Sequence, residues 1–175
     1  MRNLWLAFCV LAVSTLGAQE KSTAPVTLIT ADDLNYWDKT EKNLKTRGGA
    51  NAPTPAPGDP LQVESIEANG PAIKVVAPKT AMVNTPVELN VQFECHDGSL
   101  VDPNSVKVTV KKWIFDDFRF GRDITDRVRP YVSPTGIHVP QADLPAGTYQ
   151  FALHVSDKAQ KGSGVQLVLA VIAKH

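Results

Sequence analysis

Residues 71–175 are predicted to form an all-β sandwich. Three observations carry that reading. Val87, Leu89, Val91, Phe93 and Cys95 alternate with polar residues, a period of two that puts one strand face in a core and the other in water. The same alternation returns at Val106-Val108-Val110 and at Tyr149-Phe151-Leu153-Val155. Turn-forming residues punctuate these runs, and no long helical period appears after Pro71.

Each segment follows in order. Ile73-Lys74-Val75 opens the first strand, and His96-Asp97-Gly98-Ser99 turns the chain after the second. In the third strand the next inward position after Val110 falls on Lys112, and apolar character resumes at Trp113. That slip predicts a bulge or a strand end near Lys111-Lys112. Asp116 to Pro134 is irregular and charged, and Ile137-His138-Val139 is a short strand. Val165 to Ala173 forms the last strand and is apolar on both faces. Such a strand wants cover on both sides. It is expected either to offer an edge to a partner strand or to be covered by Val26 to Ile29.

The N-terminal part has a different character. Arg2, the apolar run Leu4 to Val13 and the small residues up to Ala18 read as a secretory signal, residues 1–18. The apolar run is too short for a spanning helix, so no membrane span is expected after cleavage. Residues 19–70 read as a flexible, proline-rich spacer, because alternating prolines from Pro53 to Pro60 favour extended polyproline structure. Asp32 or Asp33 is placed to cap one helical turn there. Tyr36-Trp37 reads either as a docking segment or as a strand or turn tucked onto the sandwich.

Composition narrows the function. The 175-residue chain has 18 basic and 18 acidic side chains, so it lacks the basic balance expected of a nucleic-acid binder. It has 2 cysteines, and Cys9 lies within the signal, which leaves Cys95 without an internal disulfide partner. Its phase beside Phe93 predicts a small buried hydrophobe, with an intermolecular disulfide as the lesser reading. Among the 4 histidines, His138 and His154 face outward, where two imidazoles from neighbouring strands make too poor a set for a metal. Asp116, Asp117, Asp123 and Asp126 are interleaved with Arg119, Arg122, Arg127 and Arg129, which favours local salt bridges over calcium. Asp123 is also placed for a turn closed on the backbone near Thr125. No nucleophile elbow, phosphate loop, HExxH or CxxC occurs, so no enzyme, cofactor or metal is expected.

Leu144-Pro145-Ala146-Gly147-Thr148-Tyr149 resembles the corner before the sixth strand of immunoglobulin and fibronectin type III folds. The resemblance implies a seven-stranded sandwich in which the Tyr149 hydroxyl bonds the upstream backbone. It places Trp113 as the core tryptophan of the third strand. Phe151 stands where true immunoglobulin domains carry their second disulfide cysteine, so apolar packing around Cys95 and Phe151 replaces the bridge. Gly70-Pro71-Ala72-Ile73, Val101 to Val108, Asp123 to Arg127 and the corner itself also resemble secreted bacterial Ig-like domains, which implies a periplasmic or secreted location. The segment Trp113, Phe115, Phe118, Arg119, Phe120 and Arg122 concentrates residue types enriched in interface hot spots. It is read either as the contact for an envelope or extracellular protein, as a surface that stacks on glycan rings, or as a plug over the open end of the sandwich.

Overall fold

The computed structural model describes residues 24–44, 55–95, 100–114 and 117–172, with the side chains of 43–44 and 117–119 outside the description. The expected signal, residues 1–18, therefore lies outside the described residues, as do His96, His175 and Phe115.

The strands are β1 (Val26–Thr27), β2 (Val63–Ala68), β3 (Ala72–Ala77), β4 (Met82–Asn84), β5 (Val87–Glu94), β6 (Lys107–Ile114), β7 (Asp117–Asp123), β8 (Val132–Ser133), β9 (Gly136–Asp143), β10 (Gly147–Ser156) and β11 (Gly162–Ile172). The helices are α1 (Ala31–Leu44) and α2 (Thr125–Val128). They form an all-β sandwich of two sheets. The first sheet runs β1-β9-β5-β3, with β8 also on β9. The second runs β2-β11-β10-β6-β7, with β4 also on β11. The strands beyond the expected seven are short or come from upstream of residue 71.

The alternation seen in the sequence is the alternation of burial. Val87 and Phe93 are buried on β5, while Glu88 and Glu94 are exposed. Tyr149, Leu153 and Val155 are buried on β10. Cys95 is half-buried against the core as a free thiol, and Phe151 packs there too. An apolar cavity of about 80 Å³ lies between the sheets, with Leu89, Val139, Phe151 and Leu169 among its walls.

The corner at Leu144-Tyr149 behaves as the resemblance implies. Leu144 and Tyr149 are both fully buried, and the Tyr149 hydroxyl donates to the Ala146 carbonyl at 3.4 Å. Gly147 sits under the phenol ring, where an added Cβ would come within 3.0 Å of Tyr149 Oη. Burial drives the Tyr149 pKa up to about 12. Val101 to Val106 has an equally local logic. Asp102 caps a short 3-10 turn by accepting from Asn104 N at 2.9 Å, and Ser105 Oγ donates to Ser156 O at 2.9 Å, tying the turn to β10.

Three expectations are corrected. Residues 19–70 are not a spacer throughout: β1, α1 and β2 are built into the sandwich. The last strand, β11, offers no edge, because β2 pairs along Ser163–Leu167 and β4 along Ala170–Ile172. The Val26 to Ile29 stretch reaches only its inner face: β1 pairs with β9 in the other sheet, and Leu28 lines the same inter-sheet cavity as Val165, Leu167 and Leu169. His138 and His154 cannot meet, because β9 and β10 belong to different sheets.

Tyr149→Phe removes the corner hydrogen bond without opening a cavity. We expect a loss of about 1 kcal/mol, seen as a fall of roughly 2–4 °C in the melting temperature. Circular dichroism melts of both proteins check this, and equal melting temperatures would show that the corner bond contributes nothing.

Candidate functional site: the α1–β7 surface

Helix α1 begins where its sequence provides a reciprocal cap. Thr30 Oγ1 accepts from Asp33 N at 3.4 Å, and the Asp33 carboxylate accepts from Thr30 N and Oγ1, each at 2.9 Å. This is a capping-box arrangement, and Asp32 and Asp33 also complement the positive end of the helix. The cap thus lies on Thr30 together with Asp33, and the helix runs 14 residues rather than one turn.

The helix turns Leu34 and Trp37 onto the sandwich. Trp37 is fully buried, its ring centroid 6.0 Å from that of Tyr149. The core tryptophan beside the tyrosine corner therefore comes from α1. Trp113, expected in that role, is only half-buried on β6. Burying an indole removes about 150–250 Å² from water, a gross stabilisation of about 4–6 kcal/mol.

A polar lock accompanies the indole. The β6–β7 pairing is irregular between Val110 and Lys112, as the sequence slip predicted. Phe120 sits in this irregularity with φ 58, and its carbonyl accepts from Trp37 Nε1 at 2.8 Å. Lys112 keeps its inward register opposite Tyr149, and its ammonium lies 3.4 Å from Asp38 of α1. A lysine is tolerated on that face because the helix brings a carboxylate to it.

Asp33 is the centre of the lock. Its side chain is fully buried and accepts from Arg122 Nε at 2.9 Å and from Arg127 Nη1. Arg127 also donates to Leu28 O at 2.8 Å. Burial alone would raise the Asp33 pKa, but the bonds from Arg127, Thr30 and Arg122 outweigh it and hold the carboxyl well below its ordinary value of 3.8. Nearby, Thr125 N donates to Asp123 Oδ1 at 2.8 Å, the turn expected from the sequence. The Thr125 hydroxyl and backbone hold the Asp123 pKa down as well.

What this foundation presents to solvent is a small aromatic and cationic patch. Tyr36 is 40% and Phe120 37% exposed. The Arg122 guanidinium lies 4.9 Å from the Tyr36 ring centroid, a cation–π contact. The structure thus joins the Tyr36-Trp37 segment to Phe120 and Arg122 of β7. Trp113 is half-buried nearby in sequence on β6, Phe115 lies outside the described residues, and the side chains of Phe118 and Arg119 are not described. Arg122 already serves Asp33 and Tyr36, so it is a structural residue that also faces solvent. No local sequence signal pairs Asp33 with Arg127, since 94 residues separate them.

No group of three or more metal-ligating side chains occurs among the described residues. No helix among them is long and apolar enough to cross a membrane. Searches against models of known families and against curated proteins find no match.

Asp33→Asn should cost about 3 kcal/mol at neutral pH, because two arginines lose their buried counter-charge. The sign of the pH dependence follows from the lowered pKa. The contribution of Asp33 is fully present above the unfolded value near 4 and is lost as pH falls through the folded value. Urea unfolding from pH 7 down to roughly pH 2 should therefore show the gap between parent and variant closing in acid. A gap independent of pH would contradict the lock.

Proposed function

We propose that this chain is an exported, non-enzymatic binding module of the bacterial envelope, periplasmic or secreted, that engages a protein partner through the α1–β7 surface. The observation that carries the proposal is the exposed Tyr36–Arg122–Phe120 patch mounted on the buried Trp37 and Asp33. Aromatic and arginine side chains on a rigid base are the usual make-up of interface hot spots, because little conformational entropy is lost when they are covered. A glycan-stacking role for this patch is less well supported, since Arg122 already occupies one face of the Tyr36 ring.

Export is supported by the basic, apolar and small-residue order of residues 1–18. An immunoglobulin or fibronectin type III type of sandwich is supported by the β5–β9 and β6–β10–β11 pairings, by β4 switching sheets to run parallel to β11, and by the Tyr149 corner.

Tyr36→Ala combined with Phe120→Ala removes two exposed rings and leaves the Asp33 lock in place. Capture from crosslinked envelope extract should retain a discrete protein on the parent chain and lose it on the double variant, with the melting temperature within about 2 °C. Equal capture by both forms would move the contact elsewhere on the molecule.

A further inference from the structure

The outer face of the first sheet holds a second site, on the side of the sandwich formed by β5 and β9. A polar groove of about 530 Å³ runs along it, within the size range of small-ligand sites. Asn90, Gln92 and Glu94 lie at successive outward positions of β5 and line its floor. His138 stands opposite Asn90 on β9. Gly136 stands opposite Gln92, and a Cβ there would come within 2.2 Å of the Val91 carbonyl oxygen. Glycine at this position lets the β9 backbone approach β5 closely beneath the groove. Tyr131 and Thr135, on either side of β8, supply an aromatic and a hydroxyl wall.

Part of this floor is already oriented. Glu88 Oε1 lies 3.1 Å from His138 Nε2 and accepts from Asn90 Nδ2 at 3.5 Å. One carboxylate therefore aims both the imidazole and the amide, which is how neighbouring groups preorganise a binding shell.

The chemistry of the groove selects its ligand. An apolar molecule would strip water from amides, a carboxylate and a hydroxyl without repaying their hydrogen bonds. An anion would meet Glu88 and Glu94. A bare metal ion lacks a convergent set of ligands among the described residues. An extended peptide would find no free main-chain partners here, since β5 is paired with both β3 and β9. A neutral polyhydroxylated ligand fits each term. Every sugar hydroxyl both donates and accepts, and so do the amides of Asn90 and Gln92 and the hydroxyl of Thr135. Tyr131, half-buried where it packs on the core, borders the groove and supplies the apolar surface that the C–H side of a pyranose requires.

We propose that the β5–β9 groove binds a neutral oligosaccharide, with Asn90 and Gln92 reading its hydroxyls and Tyr131 flanking its ring. This site is separate from the α1–β7 surface, and the two proposals stand or fall independently.

The test is an amide-resonance titration of the ¹⁵N-labelled protein with cellohexaose, maltohexaose and chitohexaose in turn, each to roughly 10 mM, which reaches weak single-site affinities. At least one should give saturable shifts at Asn90, Gln92 and Thr135. Asn90→Ala combined with Gln92→Ala, both on an outward sheet face, should weaken that sugar at least about ten-fold with the rest of the spectrum unchanged. Tyr36→Ala should leave it untouched. Absence of saturable shifts with all three sugars, shifts confined to α1 and β7, or equal affinity of the double variant would each overturn the proposal.

Discussion

The Trp37 indole and the Asp33 carboxylate bind one helix to the sandwich, and the layout of the candidate interface depends on that attachment. A helix drawn from a polar, proline-flanked stretch has little stability of its own. Here it gains that stability from tertiary contacts. The indole fills the space beside Tyr149, its N–H takes the carbonyl exposed by the irregular β7 strand, and the carboxylate gathers two arginines from β7 and α2. Each group meets an otherwise costly demand of the others. The buried carboxylate would be expensive without Arg122 and Arg127, and the Phe120 carbonyl would lose its indole donor without Trp37.

The consequence is a division of labour between neighbouring residues of one helix. Trp37 faces the core and Tyr36 faces solvent, one residue apart and about a hundred degrees around the axis. The exposed ring therefore rides on a fixed base. Arg122 couples the two layers, since its Nε serves Asp33 while its guanidinium lies over Tyr36. Substituting Arg122 would disturb fold and surface together, whereas Tyr36 and Phe120 report on the surface alone. On the outer face of the first sheet, the β5–β9 groove is built on different terms, from side chains of a sheet and the close backbone approach at Gly136.

The sequence made the β-rich body legible because period-two alternation and burial are the same physical fact on β5, β6 and β10. Its local motifs were legible as well: the Asp123 turn and the irregularity near Lys111-Lys112 follow from short-range rules, and the Tyr149 hydrogen bond from the resemblance of its corner. Helix α1 was hidden although Thr30 and Asp33 form a capping box and Leu34 and Trp37 share a face. The surrounding polar composition masked so short an apolar stripe. Strand β2 left still less signal, for all six of its residues are exposed and only its pairing with β11 makes it a strand. Arg122 and Arg127 looked like members of a local charge cluster, and their buried partner was too far away in sequence to be paired with them. The groove was invisible for a related reason, since Asn90 and Gln92 meet His138 and Gly136 only through the β5–β9 pairing.

The integrity of the α1 attachment is tested most directly by hydrogen exchange at the Trp37 indole N–H under native conditions. If the helix belongs to the cooperative unit of the sandwich, that proton exchanges as slowly as the central amides of β10, because both require global unfolding. Exchange of the indole proton orders of magnitude faster than those amides, at unchanged global stability, would mean that α1 opens independently and would contradict the account.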